Sequence, residues 1–102
     1  MKYLEKNLLL DCCKRARDAN PSGDGTFDSH AVIVQAMTHY AQAYVEELHA
    51  DVSQADPIHR AHSRIGLALL EIDEIEKTKT VDSMNVRGQV TSNQQWRFKK
   101  KS

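Results

Sequence analysis

SHAVIVQAMTHYAQAYVEELHADV, residues 29–52, is followed after three residues by DPIHRAHSRIGLALLEIDEIEK, residues 56–77. In the first stretch Val34, Met37, Ala41, Tyr44 and Leu48 recur at spacings of three, four, three and four. In the second, Ile58, Ala61, Ile65, Ala68, Ile72 and Ile75 keep the same rhythm. An apolar residue every three or four positions forms one stripe along a helix. Ser53, Gln54 and Ala55 leave room only for a tight reversal, so the two stripes are expected to face each other as an antiparallel hairpin.

Residues 2–19 read as a further helix, with Leu4, Leu8, Cys12, Ala16 and Ala19 along one stripe and Leu9 and Cys13 widening it. Lys14, Arg15 and Arg17 lie near its C-terminal end, where cations complement the helix dipole. Asn20-Pro21-Ser22-Gly23-Asp24-Gly25 stops it. Asp28 or Ser29 caps the next helix, and Asp56-Pro57 is the clearest start signal, an N-cap acid followed by proline at the first helical position. Gly66 interrupts the last helix, which predicts close approach of a neighbouring helix. After Thr78 the helical rhythm fades. Val86 to Thr91 has weak strand character and Trp96-Arg97-Phe98 alternates, so this region reads as a tail that is flexible alone and orders against a partner. The expected class is all-α: three helices with a central hairpin in residues 1–77, and a flexible basic C-terminal tail in residues 78–102.

With 102 residues there is room for one domain with a modest core. No signal peptide or membrane span is visible, and adjacent Cys12 and Cys13 cannot readily pair with each other, so no membrane association and a cytoplasmic location are expected. The formal net charge is zero, yet residues 1–77 hold thirteen acidic and eight basic side chains, whereas residues 78–102 hold six basic and one acidic. An acidic body with a basic arm points to an interaction role for the arm.

Four groups of residues invite a functional reading. Asn20, Ser22, Asp24, Gly25, Phe27 and Asp28 fall on an EF-hand-like frame, but Asn20 stands at the first ligand position and Ala31 where a bidentate Glu is needed, so an ordinary connecting loop is expected. Glu46 and His49, Asp56 and His59, and His59 and His62 have the three-residue spacing that metal ligands use on helices. Here one pair ends a helix and Asp56 is engaged as a cap. The acidic group Glu71, Asp73, Glu74 and Glu76 contains one Glu-x-x-Glu pair of the kind with which all-α pyrophosphohydrolases hold magnesium. Glu46, Glu47 and Asp51 on the facing helix lack that spacing. Neither metal nor cofactor is therefore expected. The fourth group is the tail, Trp96, Arg97, Phe98, Lys99, Lys100 and Lys101. Trp and Arg are frequent anchors in partner grooves, and aromatics among cations also suit stacking on bases.

Helix two carries apolar residues on more than one face, and Leu67, Leu69 and Leu70 add more off the main stripe of helix three. This surplus predicts a homo-oligomer. The expected function is a small non-enzymatic binding protein, an inhibitor, adaptor or sequestering protein for an unknown protein or small molecule, in a style common among phage and mobile-element accessory proteins. The alternatives are a metal-dependent hydrolase built on the acidic and histidine clusters, and a nucleic-acid-binding accessory protein that uses the tail.

Overall fold

The computed structural model describes residues 1–100. Helix α1 (Lys6–Ala19) leads into the short strand β1 (Thr26–Asp28), and helices α2 (Ser29–His39), α3 (Ala41–Ala50) and α4 (Pro57–Leu69) follow. Strands β2 (Ile75–Met84) and β3 (Val90–Phe98) complete a three-stranded antiparallel sheet in the order β1-β3-β2. The all-α expectation is thus overturned: the fold is α+β, with four helices rather than three.

Two local features account for the difference. The stripe over residues 29–52 does not lie on one helix, because the helix breaks at Tyr40 (φ −132°, ψ 45°). Thr38, His39 and Tyr40 are weak helix formers, and the Thr38 hydroxyl bonds back to the Val34 carbonyl at 2.8 Å, which bends helices. In the second stretch the helix ends at Leu69, and the apolar rhythm then continues in other conformations. Ile72 is buried in the turn after α4, and Ile75 is buried at the start of β2.

Residues 75–98, expected as part of a helix and a flexible tail, form a hairpin. Thr78, Thr80, Val81, Val90 and Thr91 favour extended backbone. Asn85-Val86-Arg87-Gly88 makes the turn, with Gly88 at φ +79°, a conformation that glycine adopts without strain. The Asn85 carboxamide oxygen accepts the backbone N–H groups of Arg87 and Gln89, at 2.9 and 3.1 Å. Phe27 pairs with Trp96 on one side of β3, and Ile75 pairs with Phe98 on the other. Between Lys77 and Thr80 the register shifts, leaving a bulge in β2.

Leu9, Cys12, Cys13 and Ala16 of α1 pack with Val32, Ile33 and Ala36 of α2, Ile65 and Leu69 of α4, and Phe27, Ile75 and Trp96 of the sheet. The core thus takes side chains from both layers. Asp28 caps α2 by accepting the Ala31 N–H at 2.8 Å, and Asp56 caps α4 by accepting the His59 N–H at 3.2 Å, both as expected of N-cap acids. A Cβ built on Gly66 would meet nothing within 4 Å, so the close approach expected at that glycine is absent.

One carboxylate ties three segments together. Glu47 of α3 is fully buried. Its Oε2 accepts the backbone N–H groups of Tyr3 and Leu4, at 2.7 and 2.9 Å, which holds the buried Leu4 in place. Its Oε1 accepts Arg64 Nη1 of α4 at 3.1 Å, and Arg64 Nη2 also reaches the Glu47 carbonyl at 2.8 Å. A buried charge is tolerated only when paired and hydrogen-bonded in this way. Glu47→Gln keeps the shape but loses charge-assisted acceptance, so urea unfolding should show a loss of about 2 kcal/mol. Unchanged stability would mean that the carboxylate does not hold the N-terminal segment.

Candidate functional site

Helix α4 has two working faces. Ala61, Ile65 and Leu69 point into the core. Ile58, His59, His62, Ser63, Gly66, Leu67 and Leu70, at helical spacing on another face, line a cleft of about 770 Å³. The opposite wall is the β2–β3 hairpin, from its tip at Val86 and Arg87 to Asn93 and Gln94, and Ile33 and Trp96 contribute further apolar lining. The volume lies within the range of small-molecule sites, and such sites are mostly apolar with a few placed polar groups.

Specific bonds hold the hairpin against the helices. Trp96 is buried in the middle strand, and its indole N–H donates to Ser29 Oγ of α2 at 3.0 Å. Asn93 of β3 accepts the His30 backbone N–H at 2.9 Å through its side-chain oxygen, and its amide donates to Ser83 Oγ at 3.0 Å. The Ser83 hydroxyl lies 2.9 Å from His30 Nδ1. One network thereby joins the start of α2 to both strands.

On the helical wall, Tyr44 Oη of α3 and His62 Nε2 lie 2.6 Å apart. Burial disfavours the charged imidazolium and lowers the pKa of His62, and the positive field of Arg87, His30 and His59 adds to this against an opposing effect of Asp56. Burial likewise raises the pKa of Tyr44. Both groups are therefore neutral at pH 7, and His62, backed by the buried Tyr44 hydroxyl, presents a polar but uncharged group to the cleft.

The charges around the cleft are one-sided. No aspartate or glutamate is among its lining residues, although the chain has fourteen, whereas Lys77 and Arg87 both line it. At its mouth the Arg87 guanidinium, carried on the hairpin tip, pairs with the Asp56 carboxylate, with one contact of 3.3 Å between Arg87 Nη1 and Asp56 Oδ2. Asp56 has φ +50°, in the left-handed region that aspartate tolerates better than most residues. Pairing with Arg87, together with the His59 backbone N–H, lowers the pKa of Asp56.

The residues singled out in the tail do not converge on one surface. Trp96 lines the cleft, with its indole buried. Arg97 pairs with Glu76 on the neighbouring strand at 3.4 Å. Phe98 packs on Phe27, with ring centroids 5.7 Å apart, and under the Arg17 guanidinium at 4.8 Å. The Lys99 backbone N–H donates to the Glu74 carbonyl at 2.9 Å, and Lys99 and Lys100 are exposed. Lys101 lies outside the described residues.

The other candidate groups are engaged locally. Asn20 donates to the Thr26 carbonyl at 2.8 Å and accepts the Ser22 N–H at 3.1 Å, and Asp24 accepts the Thr26 N–H at 3.0 Å, so these oxygens serve the turn itself. Glu74 pairs with Lys6 at 3.3 Å. Among the described residues no group of three or more His, Cys, Asp or Glu side chains is placed to hold a metal ion. Burial raises the pKa of both Cys12 and Cys13 to about 12, so neither is a thiolate nucleophile at neutral pH. Arg87, His30 and Asn93 were not among the sequence candidates. The available signal for them was the Asn-x-x-Gly turn between two β-favouring runs.

Among the described residues no helix is long and apolar enough to cross a membrane. No family model, curated protein or solved structure matches the chain.

The lowered His62 pKa has a consequence for stability. Unfolded, this side chain takes up a proton as the pH falls through about 6.5, while the folded protein resists. The unfolded state then binds more protons, so stability drops as the pH falls below that value. His62→Gln should flatten that part of the curve of melting temperature against pH. An imidazole titration by nuclear magnetic resonance that places His62 at or above 6.5 would refute the assignment.

Proposed function

We propose that this chain is a small non-enzymatic sequestering protein, and that the cleft between α4 and the β2–β3 hairpin seats its ligand, a small molecule with an apolar body. Gly66 carries the reading. A glycine in the interior of a helix costs about 1 kcal/mol relative to alanine. Here it serves neither a turn nor a close helix contact, since its missing Cβ faces open space in the cleft. What it provides is a bare stretch of helix that a ligand can approach closely. Ile58, Leu67 and Leu70, each more than a third exposed, flank it on the same wall, and a ligand seated there would cover them.

The same proposal includes self-association and a cytoplasmic location. Val45 and Val52 of the α3 region are 57% and 64% exposed, away from the residues that line the cleft, and a second copy would bury them. Cys12 and Cys13 are both free, which suits a reducing compartment.

The test uses N-phenylnaphthylamine, a neutral apolar dye whose emission rises on leaving water. The dye should bind the parent protein and accept energy from Trp96, the sole tryptophan of the chain. Gly66→Leu should keep or raise the melting temperature, because leucine favours the helix, and should abolish binding by filling the cleft. Dye binding unaffected by Gly66→Leu would refute the cleft as the seat. In light scattering the protein should have at least twice its chain mass of 11.6 kDa, and a monomer over a wide concentration range would refute self-association.

A further inference from the structure

Resting on the reading of the cleft as a ligand seat, we infer that Arg87 is its anion-recognising residue, that Asp56 is a built-in competitor for it, and that the ligand is a small apolar molecule bearing one anionic group. Three observations support this. First, no carboxylate lies on the cleft lining, and Arg87 and Lys77 are the cations that do, so an anion seated in the cleft meets no like charge from the lining itself. Second, the Arg87 guanidinium is already engaged at the mouth by the Asp56 carboxylate, which stands where an anionic group of a ligand would dock. Third, Arg87 sits on the Asn85–Gly88 turn, beyond the last contacts of the hairpin with α2, those of Ser83 and Thr91 with His30, so its long side chain can turn from Asp56 toward the cleft without moving the strands.

The exchange needs little force. Both partners are nearly half exposed, at 45% and 47%, and an ion pair this open to water is screened and weak. A ligand anion in the cleft would sit against apolar side chains and accept the same guanidinium away from bulk water, where a charge-assisted bond is stronger. Asp56 would keep its other partner, the His59 N–H, so helix α4 stays capped while the pair opens. Binding and release of the anion then become a competition between two acceptors for one guanidinium. The Arg87 guanidinium pairs with Asp56 when the cleft is empty and with the ligand when it is full.

Two dyes of similar size separate the terms. N-phenylnaphthylamine is neutral, and anilinonaphthalene sulfonate carries one negative charge. Energy transfer from Trp96 reports either dye on the protein, and its loss in Gly66→Leu places the dye in the cleft. The parent protein should bind the sulfonate more tightly than the neutral dye. Arg87→Gln should weaken sulfonate binding about tenfold and leave the neutral dye within about twofold, since one charge-assisted bond is lost. Asp56→Asn should tighten sulfonate binding by removing the competitor. Asparagine caps helices as well as aspartate and tolerates the left-handed backbone, so the fold and the helix start are kept, which an unchanged melting temperature will verify. Sulfonate affinity unchanged by Arg87→Gln, with the neutral dye still bound and still excluded by Gly66→Leu, would overturn this inference and leave the cleft standing as a seat. Failure of both dyes to bind would overturn the cleft and this inference together.

Discussion

Trp96 lies in the middle strand between Phe27 and Lys77, and its indole N–H is satisfied by the Ser29 hydroxyl at the start of α2. Burying a side chain of this size removes roughly 200 Å² from water, which contributes about 5 kcal/mol, a large part of the stability of a small domain. The contact also has long reach. β1 and β3 are separated in sequence by three helices and β2, and β2 lies on the other side of β3, so the sheet exists only once the last strand is in place. α2 starts directly after β1, and its first residues are held by β3 through Ser29 and His30. The helical layer and the sheet are therefore joined at one seam, and most of what surrounds the cleft hangs from it. A topology of such distant pairings folds more slowly than a local helical bundle of the same length.

The cleft follows from a mismatch of lengths. One face of the hairpin is drawn close to α2 by Trp96, Asn93 and Ser83, while its strands run on to a turn that meets the opposite end of the cleft at Asp56. Between those two attachments, α4 offers Ser63 and Gly66 and the hairpin offers Thr91 and Ser92, side chains too short to meet across the gap. The larger apolar residues, Ile58, Leu67 and Leu70, occupy the same face of the helix and are left partly uncovered. The surplus of apolar residues that suggests oligomerisation in the sequence is thus in part the wall of this cavity.

Much of the helical half was legible. The cap acids Asp28 and Asp56, the turn at residues 20–25 and the buried stripe through Ala61 and Ile65 all follow from local rules that the structure obeys. The break at Tyr40 was less visible, because its cause is a modest sum of poor helix formers rather than a proline or glycine. The sheet was concealed for clearer reasons. Ile72 and Ile75 keep a three-residue spacing that serves a turn and a strand start as well as a helix. β2 buries its first residue and then exposes Lys77 to Thr80, so the alternation that marks a half-buried strand is absent where it would be sought. β3 opens on an exposed Val90 and is then polar until Trp96. The site itself was hidden with the hairpin, since Arg87 acquires meaning only when a turn carries it to Asp56.

The bulge in β2 bears on how this protein behaves in a crowded solution. β2 is an edge strand, with unpaired backbone groups along its outer side. A long, flat edge of this kind recruits strands from other molecules and starts aggregation. Here the register shift between Lys77 and Thr80 twists the strand partway along its length, and Lys77 and Lys79 place two charges beside the irregularity. A foreign strand trying to continue the sheet would meet a kink and two cations instead of a regular ladder. The protein can therefore hold a hairpin out into solvent, as its cleft requires, without offering that hairpin as a template for fibrils.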